Sequence, residues 1–392
     1  MNKFDKVLLI PMAGYGKRFV DSGYSLPKQF LRLNDSCCLL ESLSSLNLSY
    51  FDKIIIGCRE EFERTYNVSA FLEENYPDCN FSLMSISRDT KGSLETIKLM
   101  MNANPVPEEA EITIFTLDVK FSAKNALKPM KSDAEVLVVK TNNPGFSFVK
   151  FCDDKEMIVE RTAEKRIISD FGAVGLYRFA KAQILLNIIN EELVCKPNYG
   201  NEYYICPIFN RYIEKGFLIK GVKADTMLMF GTPIEYEFCL SLRNINSKKI
   251  AVASDHSGFL MKSKFNKIAV DRGYVLDDFG CYSENPCDYD DFVNPSAMSV
   301  KEKKNDFGVS FCRSGQGVNI AASNIPGIRS LLVFDIESLK SGLQHNAPNH
   351  FSIASGHVSD DIFRKFFDLL ESVEFEGGRH QDRLLKIESH YK

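Results

Sequence analysis

Short apolar runs alternate with helix-patterned stretches along the first part of the chain. The strand-like runs fall at 6–12, 53–57, 81–87, 111–118 and 134–141. Apolar runs of this length separated by amphipathic helices are typical of α/β folds, so the pattern predicts a parallel or mostly parallel sheet. From 146 to 230 the runs are shorter and the turns richer in glycine, which indicates a smaller lobe on the substrate side.

The same alternation starts again after a polar segment at 242–249. Strand-like runs follow at 249–254, 274–279, 307–312, 329–334 and 351–355. Five strands alternating with helices predict a small doubly wound parallel sheet. We therefore expect two α/β domains, 1–245 and 246–392, with the boundary near Asn246.

Length and charge narrow the class of protein. A chain of 392 residues exceeds one ordinary core, which favours two domains. The net charge of −4 speaks against a general nucleic-acid binder. No apolar run approaches the roughly 20 residues that span a bilayer, and the first ten residues lack the apolar core of a secretory signal. A cytoplasmic protein without membrane or nucleic-acid partners is expected.

The eleven cysteines are odd in number and scattered over apolar strands. In a chain of this size that pattern favours reduced thiols over a disulfide framework. Because the chain has no Cys-x-x-Cys pair, we do not expect a zinc site.

The first chemical motif is Ala-Gly-Tyr-Gly-Lys-Arg-Phe at 13–19, followed by Pro-Lys-Gln-Phe-Leu at 27–31. Gly14 and Gly16 allow a tight turn whose backbone N–H groups can face a triphosphate. Arg18 can neutralise a leaving pyrophosphate, and Lys28 can act as a point charge on the α-phosphate. An ordinary glycine turn after a first strand is the alternative for the glycines alone. The added cations favour a phosphate site.

These residues resemble the opening motif of the sugar-phosphate nucleotidyltransferase family, and the resemblance covers about 1–240. It implies a Rossmann-like fold with a mixed sheet. It also implies attack of a sugar-phosphate oxygen on the α-phosphorus of a nucleoside triphosphate, with release of pyrophosphate. Further family landmarks are matched by Thr90-Lys-Gly92, Asp118, Glu164-Lys165, Gly175-Leu-Tyr177 and Gly231-Thr-Pro233.

The resemblance also distributes roles over the matched positions. Nucleotide binding is implied for Gly14, Gly16, Lys17 and Gly92. Catalysis is implied for Arg18 and Lys28, Mg²⁺ binding for Asp118, and sugar-phosphate binding for Glu164 and Lys165. A solvated acid at a strand end is the alternative interpretation of Asp118.

One departure concerns the metal. Relatives often carry a second metal-binding aspartate where Met229 and Phe230 stand here, and Asp225 is the nearest acid. Either Asp118 and the phosphates hold Mg²⁺, or this domain is degenerate. The segment at 27–31 is similar to cytidylyltransferases that act on polyol phosphates, which favours CTP. The other landmarks resemble the sugar-1-phosphate branch.

The second motif set lies in the C-terminal half: Ala253-Ser-Asp-His-Ser-Gly-Phe259, Cys312-Arg-Ser-Gly-Gln-Gly317, Gln344-His-Asn346 and 375–383. A thiolate at Cys312, beside a helix N-terminus, can remove the proton next to a sugar carbonyl. Ser314 and the N–H groups freed by Gly315 and Gly317 can stabilise the enediolate. His345 can open the furanose ring by proton transfer.

The same set offers phosphate ligands, since Arg379, Arg383 and His256 are expected to bind the phosphate. Asp255 is expected to orient a neighbouring group, and Tyr289 to line the sugar pocket. Taken singly, each residue has a plainer interpretation. A strand-end cysteine is usually inert, His345 alone is more often a surface histidine, and arginines four apart can be a solvated helix face.

Together these motifs look like ribose-5-phosphate isomerase B over about 249–388. The resemblance implies aldose–ketose isomerisation without a cofactor, in a homodimer whose sites are built across the interface. Four positions depart from the family: Arg313, Ser314, Ser323 and His357 stand for glycine, threonine, asparagine and arginine. A changed sugar phosphate is therefore a possibility.

The whole chain is expected to be a bifunctional enzyme that makes an activated sugar, with a surface polysaccharide as the destination. Two alternatives remain open: the isomerase-like half is a dimerisation or ligand-sensing module, or the transferase half is degenerate. A nucleic-acid regulator would require tight, salt-sensitive DNA binding.

Overall fold

A computed structural model describes residues 5–24, 26–33, 36–153, 155–197, 200–242 and 249–390. The chain divides into two compact units, Met1–Tyr236 and Glu237–Lys392. The boundary predicted at Asn246 lies outside the described residues. In the part of the chain that is described, no helix has the length and apolarity to cross a membrane.

Among its described residues the N-terminal unit has thirteen strands, because the predicted apolar runs form its central strands and shorter runs extend them. The strands are β1 Lys6–Met12, β2 Arg32–Leu33, β3 Ser36–Cys37, β4 Lys53–Arg59, β5 Phe81–Ile86, β6 Glu111–Phe115, β7 Val119–Ser122, β8 Ala134–Lys140, β9 Ser147–Asp153, β10 Ile158–Glu164, β11 Phe171–Phe179, β12 Ile219–Lys223 and β13 Thr226–Met229. Helices connect most of them. They are α1 Lys17–Asp21, α2 Cys38–Leu43, α3 Glu60–Tyr66, α4 Val68–Asn75, α5 Ser93–Ala103, α6 Ala182–Val194, α7 Ile208–Glu214 and α8 Pro233–Ser241, which runs past the end of the unit, with 3₁₀ turns at Lys28–Phe30 and Leu48–Tyr50.

Nine of these strands form one mixed sheet in the order β5-β4-β1-β6-β11-β8-β12-β10-β9. The first four are parallel, β11 runs against β6 and β8, and β9 also pairs with β11. Helices pack on both faces, where branched aliphatic side chains such as Leu8 and Leu9 point alternately into two cores. The predicted Rossmann-like mixed sheet is confirmed.

The parallel part of this sheet gathers several loops. Parallel strands end at the same edge of a sheet, so the loops that follow β1, β4, β5 and β6 share one edge. The hairpin of β7 and β13 continues from the β6 loop and pairs Val119 with Met229 and Ser122 with Thr226. The glycine turn and Asp118 are both on this edge.

The C-terminal unit is a parallel five-stranded sheet in the order β15-β14-β16-β18-β17, as predicted. Its strands are β14 Lys249–Ser254, β15 Val275–Asp278, β16 Phe307–Cys312, β17 Ser330–Val333 and β18 His350–Ala354. Its helices are α9 Phe259–Asp271, α10 Asp290–Lys301, α11 Gln316–Ser323, α12 Ile336–Asn346, α13 Ile362–Ser372 and α14 Arg379–Ser389. Alternation along β14 sends Ile250 and Val252 into the core under α9, α12 and α13, and Ala251 and Ala253 toward α10 and α11.

The direction of the helices matters for the chemistry. In a parallel sheet each connecting helix must carry the chain back from the carboxyl edge to the amino edge. α12 joins β17 to the parallel β18, so it ends at the amino edge of the sheet. The segment before α14 is attached there as well, because the N–H of Glu376 donates to the carbonyl of Gln344 at 2.9 Å.

Two candidate active sites

Three of the predicted transferase residues meet at the edge of the N-terminal sheet. The ammonium group of Lys28 pairs with the carboxylate of Asp118. The carbon stem of Lys28 passes the α-carbon position of Gly16, where an added Cβ would lie 3.7 Å away. Gly16 has a φ of +65°, a conformation that glycine adopts without strain, and it precedes α1. The fold therefore joins the glycine turn, the lysine and the acid.

At Gly14, unlike at Gly16, the glycine turn has a backbone conformation and enough space to accept a side chain. An added Cβ there would meet no atom within 4 Å, and Gly14, Lys17 and Arg18 are all exposed. α1 has only five residues, so little of the anion attraction comes from its dipole. On the glycine turn and the segment that follows it, the positive charge comes from Lys17, Arg18 and Lys28.

Glu235 is a functional candidate that the sequence motifs did not include. Its carboxylate accepts the N–H of Thr232 at 2.9 Å, and its own N–H donates to the Thr232 hydroxyl at 3.3 Å, which caps α8. Burial raises the pKa of Glu235 and hydrogen bonds from Thr232 lower it, while the charge of Asp118 raises it and that of Arg18 lowers it. A buried acid thus lies within electrostatic reach of both predicted site residues.

Asp225, the nearest acid in sequence to the missing second aspartate, does not lie beside Asp118. It precedes β13, whose first residue pairs with Ser122, while Asp118 is at the opposite end of that hairpin. Its carboxylate accepts the N–H of Lys124 at 3.1 Å. At the Asp118 end, Phe230 is buried and its N–H donates to the carbonyl of Asp118 at 3.0 Å.

The turn around Gly92 is held by a segment that sequence reasoning missed. Gly92 has a φ of +116°, and an added Cβ would approach the carbonyl oxygen of Tyr203 to 2.5 Å. The N–H of Tyr203 donates to the carbonyl of Lys91 at 2.7 Å, and the N–H of Leu94 donates back to Tyr203 at 3.1 Å. Glycine is required here because the two backbones touch.

The next residue of that segment reaches the predicted sugar-phosphate pair. The ammonium group of Lys165 lies 2.7 Å from the hydroxyl of Tyr204 and 4.5 Å from the centre of its ring. Burial raises the pKa of Glu164, while a hydrogen bond from Ser147 and the charge of Lys165 lower it. Tyr203 and Tyr204 thus connect the Gly92 turn to Glu164 and Lys165.

Arg59, at the end of β4, links two loops of the same edge. Its guanidinium is 3.2 Å from the centre of the Tyr15 ring on the glycine turn, and it pairs with Asp89 just before the Gly92 turn. Its side chain is buried, and its Nε has no hydrogen-bond partner among the described residues. Arg59 therefore sets the relative position of the two predicted nucleotide-binding loops.

In the C-terminal unit, Cys312 ends the central strand at the carboxyl edge. Its thiol is buried, and the exposed Ser314 follows in the turn before α11. Gly315 caps α11 with a φ of +70°, and an added Cβ would meet Leu332 at 2.5 Å and the backbone N of Ala354 at 3.0 Å. The turn is therefore compact, with the first N–H groups of an eight-residue helix next to the thiol.

The neighbouring strand β14 brings two further predicted residues to this edge. The carboxylate of Asp255 accepts the N–H of Gly258 at 2.8 Å. The Nδ1 of His256 accepts the N–H of Cys287 at 3.2 Å. Tyr289 lies against α11, where an added Cβ on Gly317 would meet its ring at 2.8 Å.

The second predicted group lies at the end of α12 and the start of α14. The Nε2 of His345 lies 3.6 Å from one carboxylate oxygen of Glu376, and the Nε2 of His380 lies 3.7 Å from the other. The two imidazole rings stack with centroids 4.3 Å apart and an interplanar angle of 7°. Burial lowers the pKa of His380 to about 4, and the charges of His345, Arg379 and Arg383 act in the same direction. Arg379 and Arg383 themselves are exposed.

The fold does not bring the two predicted groups together within one protomer. Cys312, Ser314, Asp255 and His256 follow strand ends at the carboxyl edge. His345 is the next-to-last residue of α12, which has returned to the amino edge, and Arg379 begins α14 at the same edge. The expected constellation is therefore separated into two halves on opposite edges of the sheet.

Three of the four departures from the expected motif, Arg313, Ser314 and His357, lie at the carboxyl edge. The carbonyl of Arg313 accepts the N–H of Gly356 at 2.8 Å, so the loop after β16 touches the loop after β18. His357 follows directly, and the side chains of Arg313 and His357 are both exposed. These three changed positions border the Cys312 half, whereas Ser323 ends α11 toward the amino edge.

Comparison with known proteins finds separate matches for the C-terminal and the N-terminal part of the chain. Residues 250–387 match the model of the Ribose/Galactose Isomerase family. Over 140 residues the chain is 33% identical to ribose-5-phosphate isomerase B of Escherichia coli K12, which is 36% of this chain and 94% of that protein. A probable ribose-5-phosphate isomerase B of Mycoplasma genitalium is 33% identical over 143 residues, again 94% of its length.

The N-terminal part is similar to a solved structure of a different class. The nucleoside-diphosphate-sugar pyrophosphorylase of Vibrio cholerae RC9 superposes with a TM-score of 0.53 at 28% sequence identity. The match covers 59% of this chain and 99% of that one. The two parts of the chain thus resemble two different enzymes, one of nucleotide sugars and one of sugar phosphates.

Proposed function

Since the chain belongs, through residues 250–387, to the Ribose/Galactose Isomerase family, we propose a bifunctional sugar-activating enzyme. The C-terminal unit interconverts an aldose phosphate and a ketose phosphate. The N-terminal unit transfers a nucleotidyl group from a nucleoside triphosphate to a sugar or polyol phosphate. The observation that carries the proposal is that the C-terminal unit is similar to ribose-5-phosphate isomerase B and the N-terminal unit to a nucleoside-diphosphate-sugar pyrophosphorylase.

In the isomerisation, the thiolate of Cys312 takes the proton from the carbon next to the carbonyl. The negative charge moves to the carbonyl oxygen, where Ser314 and the N–H groups at the start of α11 stabilise it. The thiol then returns the proton to the neighbouring carbon, and the hydroxyl proton moves between the two oxygens. His345 opens the sugar ring before this step, and His256, Arg379 and Arg383 bind the phosphate.

These roles require a homodimer. Cys312 and His345 lie on opposite edges of one sheet, so one protomer cannot offer both to the same sugar. In a two-fold dimer, the carboxyl edge of one copy meets the amino edge of the other, and two identical sites result. The separation of the two halves supports assembly through the C-terminal unit.

In the transfer step, Arg18 and Lys28 neutralise the triphosphate, and a sugar-phosphate oxygen attacks the α-phosphorus as pyrophosphate leaves. Asp118 suits a magnesium ion: its carboxylate is 37% exposed and already attracts the Lys28 cation. Mg²⁺ commonly binds through one or two carboxylates together with substrate phosphates. When bound there, it would offset negative charge on the phosphates.

The substrates are proposed from the chemistry of the two steps. A pentose 5-phosphate cannot enter a sugar-1-phosphate transferase unless its phosphate is moved. A transferase that uses the terminal phosphate, in the manner of the polyol enzymes that the segment at 27–31 resembles, removes this difficulty and favours CTP. We place the enzyme in the cytoplasm, in the supply of a surface polysaccharide.

One experiment tests both halves. The purified chain is incubated with Mg²⁺, each nucleoside triphosphate and a panel of pentose, pentulose and pentitol phosphates, while pyrophosphate release and aldose–ketose conversion are followed in parallel. We expect pyrophosphate with one pair, CTP being its nucleotide, and isomerisation of one panel sugar. Isomerisation without pyrophosphate release would contradict the transferase, and the reverse would contradict the isomerase.

A further inference from the structure

In the transferase site, two residues that are proposed to bind different ligands bind each other. The ammonium group of Lys28 contacts Oδ1 of Asp118. Lys28 is the proposed partner of the α-phosphate, and Asp118 is the proposed ligand of Mg²⁺. As long as this ion pair is closed, neither group is available for the ligand that the transfer reaction assigns to it.

The Lys28 side chain is packed against the protein. It begins the 3₁₀ turn Lys28–Phe30, in which the N–H of Phe30 donates to the carbonyl of Pro27 at 2.9 Å. Its Cβ, Cγ and Cδ atoms lie along Gly16, at 3.7–3.9 Å from the position of an added Cβ there. The side chain is only 18% exposed. A lysine packed in this way loses less conformational entropy on pairing than a fully solvated lysine does.

Asp118 is held in place as well. A Cβ added to Gly231 would stand 3.1 Å from the Cβ of Asp118 and 3.3 Å from its Oδ2, so Oδ2 faces the backbone of Gly231. The N–H of Phe230 donates to the carbonyl of Asp118 at 3.0 Å and fixes its main chain. A cation that approaches Asp118 from the side of the glycine turn therefore meets Oδ1, the oxygen that Lys28 contacts.

The pair with Asp118 accounts for the ion pairing of Lys28 within the described part of the chain. The nearby thiol of Cys38 is no substitute partner, because burial raises its pKa to about 12 and keeps it neutral near pH 7. Loss of the Asp118 charge should therefore release the ammonium group of Lys28 for another anion.

We infer that the ion pair with Asp118 keeps Lys28 away from phosphate groups, and that the pair opens when a metal-bound triphosphate enters the site. This inference rests on the proposed function, because it concerns the same site. A metal-bound triphosphate offers a new partner to each side, phosphate oxygens to Lys28 and a divalent cation to Asp118.

A triphosphate without a metal offers a partner to Lys28 alone. It would draw Lys28 away from Asp118, leave the carboxylate unpaired, and bring further negative charge toward it. The closed pair therefore disfavours metal-free nucleotide twice, by withholding the cation and by exposing the phosphates to the carboxylate. Lys28 should contribute to the binding of a metal-free triphosphate only when Asp118 has lost its charge.

The test is a double-mutant cycle on the full-length chain. Isothermal titration calorimetry measures the binding of each nucleoside triphosphate and of inorganic tripolyphosphate, once in EDTA and once in Mg²⁺. The proteins are the unmodified chain, Lys28→Met, which keeps the carbon stem, Asp118→Asn, and the double variant. Lys17→Met, which removes an exposed cation of the same glycine turn, is the control in both Asp118 backgrounds. Circular dichroism melting confirms that each protein is folded, and Asp118→Ser replaces Asp118→Asn if the latter is not.

In EDTA, we expect Lys28→Met to weaken CTP binding by less than about twofold in the chain that keeps Asp118, and by about fivefold or more in the Asp118→Asn background. Asp118→Asn alone should tighten metal-free binding by about threefold or more. In Mg²⁺, Lys28→Met should weaken binding by about fivefold or more even when Asp118 is present, because the carboxylate then has another cation. Lys17→Met should cost the same factor in both backgrounds.

Equal losses from Lys28→Met in EDTA, with and without the Asp118 charge, would overturn the inference. Failure of the proposed function would give a different result. Coupling between Lys28 and Asp118 would then be seen with tripolyphosphate, while none of the nucleoside triphosphates binds in Mg²⁺. That result would contradict the nucleotidyl transferase and leave the role of the ion pair standing.

Discussion

The two candidate sites are assembled in opposite ways. In the N-terminal unit, Gly16, Lys28 and Asp118 come from three separate stretches of sequence and meet at one edge of one sheet. In the C-terminal unit, Cys312 and His345 come from similar loops and helices, yet the parallel sheet holds them at opposite edges. The predicted residues of the first site meet in a single chain, which we call the self-contained site. Those of the second are separated in one chain, and the proposed homodimer would bring them together in what we call the shared site.

The largest expected effect is on the rate of isomerisation when the Cys312 thiol of the shared site is removed. We expect Cys312→Ser to slow isomerisation by about 10²–10⁴-fold, because the proposed base is replaced by a hydroxyl that does not ionise near neutral pH. Nucleotidyl transfer should be unchanged. Conversion of the ketose is followed directly, with Cys152→Ser, an exposed cysteine of the other unit, as the control. A variant that isomerises at the normal rate would remove Cys312 from the mechanism.

Loss of the Asp118 carboxylate at the self-contained site should slow nucleotidyl transfer by a somewhat smaller factor. Asp118→Asn is expected to slow pyrophosphate release by about 10²–10³-fold, because the carboxylate can no longer hold a cation among the phosphates. Asp225→Asn is the matched control, since Asp225 lies at the other end of the β7–β13 hairpin. Equal losses in the two variants would contradict the assignment of the metal to Asp118.

The Gly92 turn tests whether the self-contained site depends on backbone contact. Gly92→Ala should destabilise the N-terminal unit by about 1–3 kcal/mol, because alanine is strained at a φ of +116° and its Cβ would meet the backbone of Tyr203. Gly14→Ala, where a Cβ meets no atom within 4 Å, should leave the melting temperature unchanged. Calorimetric melting of both variants makes the comparison, and equal stability would refute the contact.

The last effect is absent at neutral pH and concerns the stability of the C-terminal unit at low pH. Burial lowers the pKa of His350, which lies between the hydroxyls of Ser310 and Ser330, to about 3. The unfolded chain takes up this proton near pH 6.5 and the folded chain does not. The stabilisation is therefore complete above pH 6.5 and falls as pH drops toward 3, by about 1.4 kcal/mol per pH unit.

Hydrogen exchange of the β16 and β18 peptides between pH 7 and 4.5, corrected for intrinsic rates, follows the stability of this unit alone. His350→Gln should flatten its dependence on pH, even if the variant is less stable overall. An unchanged slope in the variant would show that His350 does not cause the loss.

Much of the fold was predictable because the local sequence pattern identifies the buried strands of an α/β protein. The runs at 6–12, 249–254 and 307–312 coincide with β1, β14 and β16, since buried parallel strands are continuous apolar segments. The antiparallel strands from 147 to 179 were harder to locate, because half-exposed strands alternate polar and apolar residues and their pairing partners are distant in sequence.

Prediction of the site residues has the same limit, because contacts between residues distant in sequence leave no local signal. The glycine turn, Lys28 and Asp118 were found by motif, and the fold brings them together. Glu235, Tyr203 and Tyr204 carry no local signal, because their roles arise from contacts with residues far along the chain. The resemblance implied a site built across a dimer interface, but no local signal says which residues lie on each side of it. The direction of α12 in the folded sheet shows that one chain holds Cys312 and His345 at opposite edges.

Complementation between two inactive variants tests the shared site most directly. Cys312→Ala removes the carboxyl-edge half, and Arg379→Ala weakens the amino-edge half. The two proteins are unfolded together, refolded at equal concentration and assayed for isomerisation. If sites form between copies, half of the dimers are mixed and each contains one intact site, so activity should return to about a quarter of the unmodified level. Activity that stays at the sum of the two separate variants would contradict a site shared between two chains.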